Sequence, residues 1–186
     1  MNDTRERLVT AAYALFTERG IGRSGVDLIA NKANCAKASL YSIFGSKNQL
    51  AIAVLQRREE LWTRNWLEAE IKQRASEPQE QLLAIFDLFD EWFRRKDFEG
   101  CPFIKLMLES RAEDDVRTAA TKHLANVRSI IAEVAGQARL KDPKTFAEIW
   151  HILMKGAIVA AEEGDQNAAL NAQKTAKGLL KNWPKS

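Results

Sequence analysis

The spacing of apolar and polar positions predicts helices along the whole chain. A first helix begins near Asp3 or Thr4 and can end at Gly20, which readily adopts a left-handed conformation. Two short helices follow over about 26–33 and 37–44, where apolar residues recur every three or four positions. The inward-facing positions of these three helices are Leu8, Ala12, Leu15, Phe16, Val26, Ile29, Ala30, Ala33, Leu40, Ile43 and Phe44.

The helical period continues to the C-terminus. Ser46 can cap a long helix that reaches about residue 74, with Gln49 as the capping-box partner. Five more helices are predicted over about 78–96, 103–112, 114–139, 144–163 and 168–181. No stretch shows the alternating pattern of a strand. The sequence therefore predicts an all-α protein of about nine helices.

Composition agrees with a helical, soluble globular protein. Hydrophobic residues make up 46% of the chain and charged residues 28%, while there are only four Pro and nine Gly. No apolar run approaches the ~20 residues of a membrane span, and the first residues contain no apolar signal core. Two cysteines do not make a disulfide framework. We therefore expect a cytoplasmic protein without a membrane partner.

The net positive charge is concentrated at the N-terminus. Residues 1–50 carry seven Lys and Arg against four Asp and Glu, an excess of three, which equals the +3 of the whole chain. A basic module on a neutral body is typical of a protein that binds a polyanion. Three charges are a small excess, however, so chance is the competing interpretation.

The two short helices form a candidate helix-turn-helix with chemistry suited to DNA. Asn34 stands at the bend, where Asn tolerates a positive φ. The outer side of the second helix carries short or flexible polar side chains for base edges and phosphates, and Lys47 follows at a helix N-terminus that favours a phosphate. The alternative is a three-helix packing unit with ordinary surface residues. The candidate contacts are Lys37, Ala38, Ser39, Tyr41, Ser42 and Lys47.

The run "GIGRSGVDLIANKANCAKASLYSIFGSKNQL", residues 20–50, resembles the N-terminal domain of the TetR family of bacterial transcriptional regulators. The resemblance covers roughly residues 5–55, and "GCPFIKLMLE" at 100–109 resembles a segment of one branch of that family. The matching positions are Ile29, Ala30, Ala33, Lys37, Leu40, Tyr41, Phe44, Lys47 and Leu50.

This resemblance implies a DNA-binding domain over 1–48 and a helical effector-binding and dimerisation domain over 49–186. It also implies a homodimeric repressor that binds a palindromic double-stranded operator, needs no cofactor and is released by a small effector. Ser24 and Gly25, at the start of the second helix, join the candidate DNA contacts. The chain departs from the family pattern at Asn34, usually Gly, at Gly25, often Ser or Thr, and at Ile43, often His.

Aromatic and sulfur-containing residues of the helical body are the candidate effector contacts. The resemblance implies an apolar pocket, whereas aromatics at helical spacing are equally consistent with a plain core. Cys101 precedes Pro102 at a helix start, where it is either an oxidant or electrophile sensor or an inert core residue. The His and Cys residues lack metal-site spacing, so we expect no metal. The candidate pocket residues are Trp62, Trp66, Phe86, Phe89, Phe103, Met107, His123, Trp150 and Met154.

Small residues line the last two predicted helices, and the resemblance implies that these helices pair with a second subunit as a four-helix bundle. The competing interpretation is an intrachain packing face. The candidate dimer residues are Gly156, Ala157, Ala160, Ala161, Ala169, Ala172 and Ala176. A helical small-molecule-binding protein or enzyme without a DNA role stays an alternative function. So does a DNA-binding protein without an effector, although no nucleophile–base set or phosphate loop supports an enzyme.

Overall fold

The structure, a computed structural model, describes the backbone of residues 2–186 and the side chains of 3–63 and 66–186. Over these residues the protein is all-helical, as predicted, and its only β-type pairing is an isolated bridge between Leu140 and Lys185. We number nine helices, taking 47–74 as one continuous helix. They are α1 (Asn2–Arg23), α2 (Val26–Lys32), α3 (Lys37–Phe44), α4 (47–74), α5 (Pro78–Phe93), α6 (Pro102–Glu109), α7 (Asp115–Gln137), α8 (Pro143–Glu162) and α9 (Ala168–Asn182).

The helices form two compact units. The first unit contains residues 1–60 and 101–124, and the second contains residues 61–100 and 125–186. The dividing points therefore lie within α4 and α7 and in the loop before α6. The sequence predicted a boundary near residue 48, which stays a prediction.

The core of the first unit forms where α1 packs against α2, α3, α4 and α6. Leu8, Ile29, Leu40 and Leu50 are all fully buried there. Burying a leucine or isoleucine side chain contributes roughly 1.5–3 kcal/mol, so these four contacts hold the short α2 and α3 against α1. Helices of seven and eight residues are not stable alone, and this packing is what makes them helical.

The turn between α2 and α3 has the predicted conformation. Asn34 adopts a φ of 50°, and its carbonyl accepts a hydrogen bond from Nη1 of Arg7 on α1 at 3.0 Å. The cap at the start of α4 is also confirmed, because the Ser46 hydroxyl accepts from the Gln49 backbone N–H at 3.1 Å. The first contact fixes the turn that leads into α3, and the second fixes the N-terminus of α4.

Helices α4, α5 and α6 differ from the sequence prediction. Helix α5 ends at Phe93 and not near residue 96. In α1, helical geometry is interrupted at Gly20 with a positive φ of 78°, as predicted, although its ψ of 161° is not left-handed helical and a further turn follows to Arg23. Helix α6 ends at Glu109 and not near residue 112, since Ser110 is already extended. Helix α4 is α-helical over Lys47–Arg58 and Ala69–Arg74 but π-helical over Glu59–Glu68.

The second unit is organised around α5, which packs against α9, α8 and the end of α4. Leu82, Ile85, Leu88 and Phe89 line its buried face, which makes it the central helix of this unit. A polar contact fixes α9 on α5, because Nε2 of Gln173 donates to a carboxylate oxygen of Asp87 at 2.6 Å.

Candidate functional site

Helix α3 exposes a continuous polar surface. Lys37, Ala38 and Ser42 are exposed, and the ring of Tyr41 is 47% exposed despite its size. Ser39 is half-buried. The opposite side of the helix is fixed by Leu40, which is fully buried. A short, rigidly packed helix with small and hydrogen-bonding side chains outward has the dimensions and chemistry to enter a major groove.

Lys37 lies in an ion pair at the start of this surface. Its Nζ is 3.0 Å from Oδ1 and 3.1 Å from Oδ2 of Asp27, in the first turn of α2. The hydrogen bond to the Asp27 carboxylate, followed by its charge, raises the pKa of Lys37. The lysine is therefore firmly cationic, but its charge is partly balanced in the free protein.

Lys47, in the first turn of α4, makes one hydrogen bond to the backbone of α1. Its Nζ donates to the backbone carbonyl of Ile21 at 2.8 Å, and the side chain is half-buried. An ammonium has three N–H donors, so two are left after this bond. The open N-terminus of α4 adds a favourable dipole for an anion at the same place.

Ser24 is placed unlike the other predicted DNA contacts. It is fully buried, and its single O–H can donate to Gly20 O at 2.8 Å, with Leu15 O as a second possible acceptor at 3.1 Å. A buried hydroxyl used in this way stabilises the turn before α2, and its burial argues against a direct contact with a phosphate. Gly25 is exposed and has open space where a Cβ would stand.

Two charged residues near this surface were missed at the sequence level. Arg5 on α1 places its guanidinium 5.5 Å from the ring centre of Phe44, beside the end of α3. Glu109 at the end of α6 accepts from the backbone N–H of Ile21 at 2.9 Å. Arg5 was visible only as part of the N-terminal positive charge. Glu109 gave no sequence signal at all, because its partner is a backbone group 88 residues away.

Five of the candidate effector contacts form one aromatic chain in the second unit. The ring centres of Trp62 and Trp66 are 5.0 Å apart, and those of Trp62 and Phe89 are 6.3 Å apart. Phe86 lies 6.2 Å from Phe89 and 5.5 Å from Trp150. Met154 is also buried in this unit. These separations are typical of stacked and edge-to-face aromatic pairs.

Two polar groups of the second unit are buried without a hydrogen-bond partner. They are the hydroxyl of Thr63 and the indole N–H of Trp150, in side chains that are 1% and 0% exposed. Leaving such a group unpaired costs about 1–3 kcal/mol, which a bound molecule with acceptor oxygens would offset. A purely structural aromatic core does not require these two donors.

The remaining candidate effector contacts lie in the first unit. Phe103 and His123 stack with ring centres 3.2 Å apart and an interplanar angle of 7°. Both are buried, whereas Met107 is half-buried. Desolvation, followed by the charge of Arg58, lowers the pKa of His123 to about 3, so this imidazole is neutral in the folded protein. Cys101, just before α6, is also buried.

The predicted dimer residues divide into two groups. Gly156 is exposed, and Ala160, Ala161 and Ala172 are half-buried, so these four remain available to a partner. The other three are already buried within the second unit of a single chain, which argues against a direct contact with a partner. These are Ala157, Ala169 and Ala176, which are 4%, 1% and 0% exposed.

Apolar side chains on the outer faces of α8 and α9 were missed. Ile152 is 62% exposed, Val159 is 44% exposed and Leu170 is 45% exposed. Ile149, one turn before Ile152, is also exposed. Exposed branched side chains clustered on neighbouring helices are typical of an interaction surface. The sequence does show isoleucine and valine on α8 outside the stripe of small residues, and these residues could have indicated the surface.

The described residues show neither a metal site nor a membrane-spanning helix. No group of three or more His, Cys, Asp and Glu side chains among them is arranged to hold a metal ion. Within the same part of the chain, none of the helices combines the length and apolarity that crossing a bilayer requires.

A helix-turn-helix with an exposed, lysine-flanked second helix defines a DNA-binding regulator. Residues 8–54 match the family model described as bacterial regulatory proteins of the tetR family. The transcriptional regulator LmrA of Bacillus subtilis is 30% identical over 162 residues, which cover 84% of this chain and 85% of that protein. The chain therefore belongs to the TetR family of transcriptional regulators.

Other relatives extend the likeness over nearly the whole chain. The repressor NemR of Escherichia coli K12 is 24% identical over 170 residues, or 87% of this chain and 85% of that protein. The reduced form of E. coli NemR superposes with a TM-score of 0.83 at 22% identity and covers 98% of both chains. A TetR-family regulator from Streptomyces coelicolor gives a TM-score of 0.87 at 22% identity, covering 98% of this chain and 96% of that one. At these identities the structures show a shared fold.

Proposed function

We propose that the protein is a homodimeric repressor that places α3 of each subunit in successive major grooves of a palindromic operator. The observation that carries this proposal is the exposed polar face of α3 between Lys37 and Lys47, in a chain of the TetR family. Ala38, Ser39 and Ser42 are the candidates for base edges, and Tyr41 for the sugar-phosphate backbone or a thymine methyl group. The family assignment also supports a regulator in place of an enzyme.

A dimer is required because one α3 is too short to specify an operator. Two-fold symmetry would place two copies of α3 about 34–36 Å apart, one turn of B-DNA. The outer faces of α8 and α9 support this assembly, since Ile152, Val159 and Leu170 are more exposed than their apolar character favours in a monomer. Gly156 lies on α8 between Ile152 and Val159 and allows a close helix approach.

The effector is best supported as a small aromatic or hydrophobic molecule with at least one hydrogen-bond acceptor. The chain of rings from Trp66 to Trp150 offers apolar contacts, and the unpaired N–H of Trp150 and hydroxyl of Thr63 offer donors. An effector releases DNA only if it binds the DNA-incompetent conformation more tightly. Helix α4 is suited to connect the two events, because it carries both Lys47 and Trp66.

Lys47→Ala tests the DNA half of the proposal. Each subunit loses one phosphate contact, so the slope of log K against log salt becomes shallower by about one unit per subunit for every DNA sequence alike. Fluorescence anisotropy with DNA from upstream of the gene measures both affinity and slope. Lys144→Ala removes the same charge from an exposed position on α8 and is the control. Unchanged affinity and slope in a folded Lys47→Ala protein would contradict the assignment.

Trp66→Ala tests the effector half. The variant keeps the DNA-reading residues, so we expect normal operator binding but a shift of the release curve to higher effector concentration. Trp66→Phe retains a ring and should respond nearly as the native protein does. Candidate compounds are aromatic molecules with a carbonyl, nitro or carboxylate oxygen. Superimposed release curves for native protein and Trp66→Ala would place effector binding elsewhere.

A further inference from the structure

We propose that Glu109 is a positioning residue for DNA binding, which acts by fixing the backbone at Ile21, whose carbonyl holds Lys47. This inference rests on the proposed phosphate contact of Lys47. Glu109 is the last residue of α6 and is exposed, and its hydrogen bonds are to the protein backbone. Its effect would therefore pass through Lys47 and not through a direct interaction with the operator.

Glu109 binds mainly the peptide group between Gly20 and Ile21, and Lys47 binds the next peptide group along the chain. Oε2 of Glu109 accepts from the N–H of Ile21 at 2.9 Å and more weakly from the N–H of Gly22 at 3.5 Å. The Ile21 carbonyl, which belongs to the same peptide as the Gly22 N–H, accepts from Lys47 Nζ at 2.8 Å. The strong bond of Glu109 therefore fixes the backbone N–H of Ile21, the residue whose carbonyl Lys47 uses, and only the weak 3.5 Å bond lies on the same peptide as that carbonyl. Withdrawing the carboxylate therefore loosens the acceptor on which Lys47 depends.

The backbone is shaped for this approach of the carboxylate. Gly20 has a φ of 78°, a backbone angle that residues with a side chain rarely adopt. A Cβ added at Gly20 would lie 2.5 Å from Oε1 and 2.7 Å from Oε2 of Glu109, closer than such atoms ever come. Only glycine therefore allows Glu109 to reach the N–H groups of Ile21 and Gly22.

The helix dipole alone disfavours a carboxylate at the position of Glu109, although Lys105 lies one turn before it on the same helix. A carboxylate at a helix C-terminus faces the negative end of the dipole, and α6 has no basic residue in its last turn. The N–H groups at the other end of the contact compensate for this cost.

The end of α6 is itself fixed. Nη1 of Arg117 on α7 donates to the carbonyl of Met107 at 2.8 Å and to that of Ser110 at 3.2 Å. These bonds satisfy carbonyl groups that a helix C-terminus leaves open and hold the backbone on either side of Glu109. The carboxylate is thus presented to the 20–22 turn from a rigid support.

Three substitutions separate position from charge. Glu109→Ala removes the acceptor, Glu109→Asp keeps the charge but withdraws it by one methylene, and Glu109→Gln keeps an acceptor oxygen without the charge. Glu113→Ala removes an exposed carboxylate nearby and controls for the change in net charge. Affinity and salt slope are measured for each, alone and combined with Lys47→Ala, and unfolding transitions establish that each variant is folded.

We expect Glu109→Ala and Glu109→Asp to weaken DNA binding by about 3- to 10-fold. The slope of log K against log salt should become shallower, as in Lys47→Ala. Glu109→Gln and Glu113→Ala should stay within about 2-fold of the native protein. The effects of Glu109→Ala and Lys47→Ala should not add, because both disrupt one contact.

Two results would overturn the inference while leaving the proposed function intact. The first is native affinity and slope for both Glu109→Ala and Glu109→Asp when Lys47→Ala is weakened. The second is full additivity of Glu109→Ala and Lys47→Ala, which would mean that the two side chains act separately. Native DNA binding by Lys47→Ala would instead contradict the proposed phosphate contact, and the role of Glu109 with it.

Discussion

Lys37 on α3 and Asp27 on α2 form an ion pair in the free protein, with Nζ 3.0 Å from Oδ1. Both side chains are largely exposed, so a phosphate oxygen can approach the same ammonium. A phosphate must then compete with Asp27 for Lys37. We expect Asp27→Asn to bind operator about 2- to 5-fold more tightly at low salt, and the difference to shrink as salt screens the carboxylate.

The control for this prediction removes the lysine. Lys37→Gln should weaken binding, and the double variant Asp27→Asn with Lys37→Gln should bind no better than Lys37→Gln alone. Titrations at about 50 mM and about 200 mM salt provide the comparison. An equal gain from Asp27→Asn with and without Lys37 would mean that the carboxylate acts through the general field of the protein.

Asn34 provides a stability prediction for the turn between α2 and α3. Its φ of 50° is costly for most side chains, least so for Asn and Gly. We expect Asn34→Ala to lower the free energy of unfolding by about 1 kcal/mol, and Asn34→Gly to stay within about 0.5 kcal/mol of the native protein. Chemical denaturation measures both. Equal stability of the Ala and Gly variants would show that the backbone relaxes away from the left-handed region.

Local chemistry was predictable from the sequence wherever a side chain acts on its own neighbourhood. The cap at Ser46 and the positive φ at Asn34 follow from residue type and spacing, and both are confirmed. The π-helical part of α4 was not predictable, because a stripe of apolar residues does not distinguish bonds to the fourth residue from bonds to the fifth.

Tertiary context explains the other differences. Ser24 resembles a phosphate contact in sequence, yet packing buries its hydroxyl beneath the turn, where two backbone carbonyls lie within reach of its one O–H. The alanines of α8 and α9 gave a small-residue stripe that serves either an intrachain or an intersubunit contact. The structure buries Ala157 and Ala176 within one chain and leaves Ile152 outside. Sequence spacing alone does not separate these two uses.

Ile152 therefore provides the sharper test of assembly. Ile152→Arg places a charge on the exposed apolar face of α8 and should convert a dimer to monomers without unfolding the chain, since the native side chain is 62% exposed. Ser129→Arg introduces the same charge at an exposed position of α7 and should leave the dimer intact. Sedimentation velocity distinguishes the two states. A dimeric Ile152→Arg protein would move the interface away from this face.

His123 makes the stability of the protein depend on pH. Desolvation by burial and the charge of Arg58 lower its pKa to about 3, from an ordinary value of 6.5 in the unfolded chain. The carboxylate of Glu59 is 3.8 Å from Nδ1, beyond hydrogen-bonding distance, and does not keep the imidazole charged. Below pH 6.5 the unfolded chain therefore binds a proton that the folded chain rejects.

The sign of the effect follows from this difference in proton binding. Stability contributed by neutral His123 is fully present above pH 6.5 and is lost as the pH falls from 6.5 toward 3. Between about pH 7.5 and about pH 5 the loss amounts to about 2 kcal/mol. His123→Leu removes the titrating group and its unpaired Nδ1 while keeping an apolar side chain against Phe103. Denaturation of both proteins across this range should show a native stability that falls toward acid relative to the variant. Parallel pH profiles would mean that His123 gains a proton without unfolding, through a local opening that exposes it to water.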